Sequence, residues 1–191
     1  ELAGGGIRYR NTTIILGSEI EVRDPGMRPA HLLVYMPRLN DMREFAGWLS
    51  GRMKNVTLSS QRIYATARTL QDEVIARGGI MIPAHIFTPF KSVYGSCTDR
   101  MDNLLDTSRL AAVELGLSSD TGMAGHLSEL DPLPFVTNSD AHSLAKIGRE
   151  YNALLLSEPT YGNLVKALSG QDGLGIASNF GLNPRLGKYH R

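Results

Sequence analysis

Residues 79–86, with the sequence GIMIPAHI, form a continuous apolar run that contains a histidine near its end. A short run of this kind between turn residues is typical of a strand buried on both faces. Gly78 and Gly79 end the helical pattern that comes before it. The run therefore predicts a buried strand, and it places His85 where that strand ends.

Strand-like and helix-like patterns alternate on both sides of this run. The other predicted strands cover residues 13–22, 31–36, 111–115, 134–137, 152–156 and 175–180. The predicted helices cover residues 41–53, 63–74, 101–110, 121–130 and 161–168. This alternation predicts an α/β domain with mostly parallel strands. A barrel is favoured over an open sheet, because no GxGxxG turn follows the first strand.

The composition limits the class of protein. The chain has 191 residues, 42% of them hydrophobic, and a net charge of +1, which suits one globular domain. No apolar run reaches the roughly 18 residues of a membrane span. The start has no signal-peptide pattern, so we expect a cytoplasmic protein. Cys97 is the only cysteine, which excludes a disulfide scaffold and a cysteine zinc site within the chain.

Three segments are expected along the chain. Residues 1–12 begin with ELAGGG and are predicted to be a linker or a truncated start. Residues 13–180 carry the alternating pattern and form the main domain. Residues 181–191 have no terminating helix or strand and are predicted to connect to a further module. We therefore expect an internal piece of a longer protein.

Histidine and acidic residues gather at the predicted strands. Glu19 lies in the second half of its strand, and His85 and Glu114 lie near the ends of theirs. Asp140 and His142 follow the strand at residues 134–137. In an α/β barrel the carboxyl ends of the strands form one face, where active sites are built. These side chains are therefore predicted to share one rim.

Two spacings sharpen this prediction. Glu19 and His31 are equidistant from Pro25, so a hairpin centred there would place them nearly opposite each other. Asp140 and His142 are two residues apart, so both point to the same side of an extended backbone. Carboxylates with imidazoles are ligands for zinc, manganese or iron. Five such side chains favour two or more metals, and clustered metals of this kind catalyse phosphoester hydrolysis.

Each residue also has an ordinary structural interpretation. His31 alone could be a hydrogen-bonded core histidine. The segment from Asp140 to His142 could be a simple turn with an Asx hydrogen bond. Glu114 could be a buried carboxylate held by backbone N–H groups. The joint placement of these residues favours a metal site over the separate interpretations.

Several segments together resemble one known family. They are PAHIFTPFKSVYG (83–95), VELGLSSD (113–120), NSDAHS (138–143), IGREYN (147–152) and GLNPRLGKYHR (181–191). The sequence resembles the endonuclease Q family over nearly its whole length, and most closely the Bacillus-type members. That family has a PHP domain, named for polymerase and histidinol phosphatase.

The resemblance implies a fold, an activity and partners. The fold would be a PHP-type distorted (βα)7 barrel, incomplete at its N-terminus here, and residues 13–180 would be the PHP metallo-phosphoesterase domain. The activity would be nicking of DNA on the 5′ side of uracil, hypoxanthine, xanthine and abasic sites. The site would hold two to three divalent metals, with zinc favoured and manganese, iron or magnesium as alternatives. A sliding clamp would bind through a C-terminal region outside this sequence.

The resemblance also implies the metal ligands. These would be Glu19, His31, His85, Asp140 and His142, with Glu19 as the bridging carboxylate and with Glu19 and Asp140 in catalytic roles. The family's opening His-x-His motif and two further ligands have no counterpart in this sequence.

Four other residues fall in the family's motifs. The resemblance gives Glu114 a role beside the ligands or beside the substrate. It makes Lys91, Ser92 and Arg149 candidate phosphate contacts.

Two other functions stay open at this point. One is a PHP phosphatase that acts on a small phosphorylated metabolite. The other is a non-catalytic PHP module that binds DNA or has a structural role. Nicking of a uracil-containing duplex would separate the endonuclease from both.

Overall fold

The computed structural model describes residues 1–58 and 60–186. Within these ranges the chain forms nine strands and four α-helices. The strands are β1 Ile7–Tyr9, β2 Thr12–Ile14, β3 Leu16–Val22, β4 Ala30–Met36, β5 Ile80–Pro83, β6 Val113–Glu114, β7 Phe135–Val136, β8 Tyr151–Leu155 and β9 Gly175–Phe180. The helices are α1 Leu39–Ser50, α2 Ala67–Ala76, α3 Thr121–Ala124 and α4 Tyr161–Leu168. No helix in these ranges has the length and apolar character needed to cross a membrane.

The largest sheet has the order β3-β4-β5, and both of its ladders are antiparallel. Alternate residues of β4, such as Leu32 and Val34, are fully buried, as expected for strands that pack one face on a core. Helices α1 and α2 pack on this sheet through buried side chains that include Phe45 and Leu70. This rigid sheet carries the first half of the candidate site.

The remaining strands form small separate sheets. β6 and β7 pair in parallel through Val113 and Phe135, and β6 also contacts β5. β8 and β9 form an antiparallel pair against which α4 packs. The ends of β6 and β7 carry the second half of the candidate site.

The expected strand direction was wrong. Four ladders, β1-β2, β3-β4, β4-β5 and β8-β9, are antiparallel, and only β6-β7 is parallel within the described ranges. For β3 and β4 the physical reason is the short turn at residues 24–27, which reverses the chain directly. The chain is therefore a mixed α/β protein, and the incomplete seven-unit barrel stays a prediction.

Two predicted helices are also mostly absent. Residues 101–110 contain two short turns, Met101–Asn103 and Thr107–Arg109, and residues 121–130 contain α3 and the turn Ser128–Leu130. The Glu129 carboxylate accepts the backbone N–H groups of Met101 and Asp102. Side chains that take backbone N–H groups in this way compete with helix formation.

The two ends of the chain were expected to be a linker and a connection to a further module. Residues 1–12, expected to be a linker, contain β1, and Gly6 donates its N–H to the carbonyl of Pro37. This part is therefore folded onto the body of the protein. Of the expected connection at 181–191, residues 187–191 lie outside the described residues.

Candidate metal centre

Three side chains converge at one edge of the β3-β4-β5 sheet. Glu19 lies on β3, His31 is the second residue of β4, and His85 lies two residues beyond the end of β5. Because β4 runs against its neighbours, its beginning lies beside the ends of β3 and β5. The N–H of Ala84 donates to the carbonyl of His31, which holds the two histidines side by side.

The hairpin register differs from the expected one by two residues. Glu19 pairs with Leu33, and His31 pairs with Glu21. The hairpin is centred on Gly26, whose φ of 78° suits glycine, rather than on Pro25. Glu19 and His31 are therefore diagonal neighbours, yet Glu19 Oε1 still lies 2.7 Å from His31 Nδ1.

The ligand-type atoms of these residues form a compact cluster. His31 Nδ1 lies 3.3 Å from His85 Nε2, and the candidate ligand atoms of all three residues lie within 4.8 Å of one another. Both histidines are more than nine-tenths buried. The fold itself brings the three side chains together, without any rearrangement at the protein surface.

The electrostatics of the cluster favour the protonation states that bind metals. Burial alone would raise the pKa of Glu19, but hydrogen bonds from His31 and Ser60 outweigh it and lower the pKa to about 2. Burial lowers the pKa of His85. An ionised carboxylate and a neutral imidazole are the forms that coordinate a cation.

The donor set fits a divalent transition metal. Nε2 of His31 is buried and has no hydrogen-bond partner among the described residues. At the usual zinc–nitrogen distance of about 2.0–2.1 Å, tetrahedral ligands lie roughly 3.3 Å apart. The separation between His31 Nδ1 and His85 Nε2 matches that spacing. Glu19, His31 and His85 would therefore hold such an ion.

The backbone around His85 is tightly fixed. His85 has a φ of 33°, and its N–H donates to Glu114 Oε2 over 2.8 Å. Gly116 lies against it, since a Cβ on that glycine would lie 2.6 Å from the His85 Cβ. The position of the imidazole is therefore set by its own backbone and by the segment that ends β6.

Thr88 is the hydrogen-bond partner of His85 Nδ1. Its hydroxyl lies 2.9 Å from His85 Nδ1 and within 3.2 Å of the carbonyl oxygens of His85 and Phe90. The single hydroxyl proton can go to one of those carbonyls, so the hydroxyl accepts the Nδ1–H of His85. This arrangement favours a free lone pair on Nε2, which faces the cluster.

Glu114 is a buried carboxylate held by N–H donors. It accepts the backbone N–H of His85 and the side-chain amide of Asn138, the latter over 2.6 Å. Burial raises its pKa to about 7, although both hydrogen bonds oppose that rise. The geometry matches the ordinary structural interpretation of Glu114, and it supports His85 through the backbone.

The structure does not bring Asp140 and His142 into the cluster. Asp140 has a φ of 43°, so the backbone there is not extended as expected, but His142 Nδ1 still lies 3.7 Å from Asp140 Oδ1. The His142 side chain is 81% exposed, and its Nδ1 lies 3.0 Å from the carbonyl of Asp140. The charge of Asp140 nevertheless acts on the pKa of His85, so this loop borders the cluster.

Lys91, Ser92 and Arg149 have different surroundings. Lys91 Nζ is half-exposed and lies 2.7 Å from Glu21 Oε2. Ser92 is fully buried, and its hydroxyl donates to the carbonyl of Thr88, so it supports the loop and does not face a ligand. Arg149 donates to the carbonyl of Ser139 over 2.7 Å.

Sequence reasoning missed Glu21, Ser60 and Thr88. Glu21 Oε2 lies 3.8 Å from His31 Nε2, and Ser60 donates to Glu19 over 2.7 Å. Glu21 could have been found, because residues two apart in a strand share one face and Glu19 was already a candidate. Ser60 and Thr88 lie in loops, where the sequence has no comparable periodic signal.

Backbone strain concentrates at this edge. Six non-glycine residues in the described ranges have positive φ, and four of them are Ser60, His85, Lys91 and Asp140. Such conformations cost roughly 1–3 kcal/mol each and cluster at functional sites. The strain therefore points to the same edge as the histidines and carboxylates.

The fold and the cluster together define a mixed α/β protein with a histidine–carboxylate centre, and similar proteins narrow this class. A family model described as PHP-associated matches residues 122–171. The uncharacterized protein YqxK of Bacillus subtilis is 55% identical over 193 residues, covering 100% of this chain and 50% of that protein. The uncharacterized protein MJ0043 of Methanocaldococcus jannaschii is 41% identical over 113 residues, covering 54% of this chain and 14% of that protein.

Two solved structures have the same fold. The lesion-specific endonuclease PfuEndoQ from Pyrococcus furiosus matches 99% of this chain and 47% of its own, with a TM-score of 0.89 and 30% identity. Endonuclease Q bound to a 27-mer duplex with an abasic lesion at its active site matches 100% of this chain and 48% of its own, with a TM-score of 0.90 and 30% identity. The chain thus spans about half the length of YqxK and of these two proteins, and these similarities support an endonuclease Q or PHP relative.

Proposed function

We propose that this chain is the PHP part of a metal-dependent DNA repair endonuclease of the endonuclease Q kind. The observation that carries the proposal is the Glu19–His31–His85 cluster in a fold that matches endonuclease Q at a TM-score of 0.90. The substrate would be duplex DNA with an abasic site or a deaminated base such as uracil, hypoxanthine or xanthine. The cut would fall on the 5′ side of the lesion.

In this proposal Glu19, His31 and His85 hold a divalent ion, with zinc favoured by the two imidazoles. When bound, divalent metals supply Lewis-acid activation of water and of phosphoryl oxygens. Glu19 is already ionised because its pKa is about 2, so it offers a full negative charge to the ion at neutral pH. Thr88 and Glu114 hold the His85 ring and backbone in the orientation that this binding requires.

The loop with Asp140 and His142 would complete the site. Both residues are proposed as further ligands, and Asp140 shares the catalytic role proposed for Glu19. Since the His142 side chain is 81% exposed, this step requires the loop to turn toward the cluster. Lys91 and Arg149 would contact the phosphate at the same edge, because a lysine and an arginine complement a phosphodiester charge.

The specificity would come from the damaged nucleotide. A base that is mispaired, damaged or missing costs less to extrude from the duplex than a paired base. A sliding clamp remains a proposed partner of the full-length protein, through a region outside this chain.

The test is nicking of labelled duplexes that carry one abasic site, uracil or hypoxanthine, with added Zn²⁺, Mn²⁺ or Mg²⁺. The assay uses this chain and a longer protein extended to the full length of YqxK. A cut 5′ of the lesion, lost in His85→Ala and kept in His126→Ala, supports the proposal; His126 is an exposed histidine outside the cluster. Hydrolysis of p-nitrophenyl phosphate with no cut in any duplex overturns it in favour of a phosphatase. Duplex binding without either reaction overturns it in favour of a non-catalytic module.

A further inference from the structure

A cavity of about 500 Å³ lies at the turn between β3 and β4, and three arginines line it. Arg23 and Arg28 flank the turn itself, and Arg62 comes from the loop before α2. All three side chains are exposed. We call this cavity the three-arginine pocket.

The pocket has an excess of positive charge. Within residues 1–58 and 60–186, no carboxylate forms an ion pair with Arg23, Arg28 or Arg62. Asp24 also lines the cavity, but its Oδ1 accepts the N–H of Ala67 at the start of α2. Three guanidinium groups around one cavity attract an anion, and their planar donors match the oxygens of a phosphate.

The pocket is also held in shape by its surroundings. The N–H of Met27 donates to the carbonyl of Asp24 and closes the turn. The guanidinium carbon of Arg62 lies 5.4 Å from the centre of the Tyr64 ring, a cation–π contact that limits its freedom. The turn and Arg62 therefore need little further ordering when an anion binds.

The pocket adjoins the candidate metal centre through the backbone. Arg62 pairs with Glu21 in a β-bridge, and the N–H of Ile63 donates to the carbonyl of Glu21. The carboxylate of that same Glu21 contacts Lys91 and lies 3.8 Å from His31 Nε2. The three-arginine pocket therefore lies beside the backbone of Glu21, and the cluster lies beside the carboxylate of the same residue.

We propose that the three-arginine pocket binds a backbone phosphate of the cleaved DNA strand, next to the phosphate at the metal centre. This inference rests on the proposed function. A nucleic-acid strand carries one charge per nucleotide, so a strand that passes the cluster places a neighbouring phosphate within reach of the pocket. Contacts of this kind set the register of the duplex and carry no base information.

The experiment measures the binding of a fluorescent abasic duplex by anisotropy, with EDTA to prevent cleavage, over a series of salt concentrations. The variants are Arg23→Ala, Arg28→Ala, Arg62→Ala and the triple variant. The control is Arg43→Ala, which removes one equal charge from an exposed position on α1. Thermal unfolding checks that every variant is folded.

Each single variant is expected to weaken binding several-fold and to lower the slope of log affinity against log salt by less than about 1, because two arginines still contact the same phosphate. The triple variant is expected to lower that slope by about 0.9, since the pocket neutralises one phosphate. Arg43→Ala is expected to leave the slope unchanged. Equal slopes for the pocket variants and the wild type overturn the pocket, as does a wild type that does not bind the duplex.

The proposed function is judged separately, by nicking of the wild-type protein with metal. Nicking with unchanged salt slopes removes the pocket and keeps the endonuclease. Reduced slopes without nicking by the full-length protein keep the phosphate contact and remove the endonuclease.

Discussion

The two halves of the candidate site differ in what holds them. Glu19, His31 and His85 lie at a strand edge, and both histidines are more than nine-tenths buried. Asp140 and His142 lie in a loop, where the His142 side chain is 81% exposed and its Nδ1 lies 3.0 Å from the carbonyl of Asp140. The comparison teaches that strand pairing, together with the packed segment after β5, assembles the first half. The second half needs something more, and a bound ion or DNA would supply it.

The largest expected effect is on the first half. His85→Ala removes a ligand from a buried cluster, so we expect zinc affinity to fall by more than about 100-fold, beyond the usual effect of losing a supporting residue. Titration calorimetry with Zn²⁺ measures this loss. The exposed His126→Ala is the matched control, and equal affinities in the two variants would contradict a role for His85.

Substitutions of Thr88 test whether the first half of the candidate site, which we call the strand-held half, depends on the tautomer of His85. Thr88→Val keeps the shape and removes the hydroxyl, so we expect zinc affinity to fall about 10–100-fold. Thr88→Ser keeps the hydroxyl and should restore most of that affinity. The ¹⁵N chemical shifts of the His85 ring report the tautomer directly. If Val and Ser variants behave alike, the hydroxyl does not set it.

Alanine substitutions at two glycines compare the packing around the two halves of the candidate site. Gly116 and Gly148 both have positive φ, at 72° and 75°, but a Cβ would meet His85 only at Gly116. Alanine at either position strains the backbone. Gly116→Ala also overpacks the site, which typically costs about 1–3 kcal/mol more.

Urea unfolding measures both free energies of unfolding. We expect Gly116→Ala to have a free energy of unfolding about 1–3 kcal/mol lower than that of Gly148→Ala, because only Gly116→Ala overpacks the site. A Gly148→Ala variant as unstable as Gly116→Ala would show that the strand-held half is no more tightly packed than the loop.

The smallest effect is expected in the loop. His142→Ala changes an exposed side chain, so without DNA we expect zinc binding and stability to change by less than about 0.5 kcal/mol, or roughly twofold. Nicking by the full-length protein should nevertheless fall, if the loop closes on the ion during the reaction. A large loss of zinc affinity without DNA would mean that the loop already contacts the ion.

The sequence was a good guide to where several strands and helices lie and a poor guide to how the strands pair. The run at 79–86 correctly predicted a strand there, and the patterns at 161–168 and 175–180 correspond to α4 and β9. The turn at Pro25 predicted the antiparallel β3-β4 hairpin, but a one-dimensional pattern has no information on the direction of the other strands, so the antiparallel β4-β5 and β8-β9 ladders were missed. The centre of the β3-β4 hairpin moved by one residue, because the glycine of the turn and not the proline sits at its centre.

The sequence likewise predicted one part of the candidate site and not the other. His85 was found from its place at a strand end, Glu19 and His31 were found from their spacing about the turn, and the structure brings the three together. Asp140 was placed on an extended backbone, but its φ of 43° lies in the left-handed region. Local spacing cannot report such a dihedral angle, nor can it report the loop contacts of Ser60 and Thr88.

The most direct test of the account is zinc titration of the wild-type chain and of a variant with Glu19→Gln, His31→Ala and His85→Ala combined. Calorimetry at neutral pH gives the stoichiometry and the affinity for each, and circular dichroism confirms that both are folded. The account predicts at least one tightly bound zinc ion per wild-type chain and none in the variant. Equal zinc binding by the two proteins would contradict it, because the ion would then be held elsewhere in the chain.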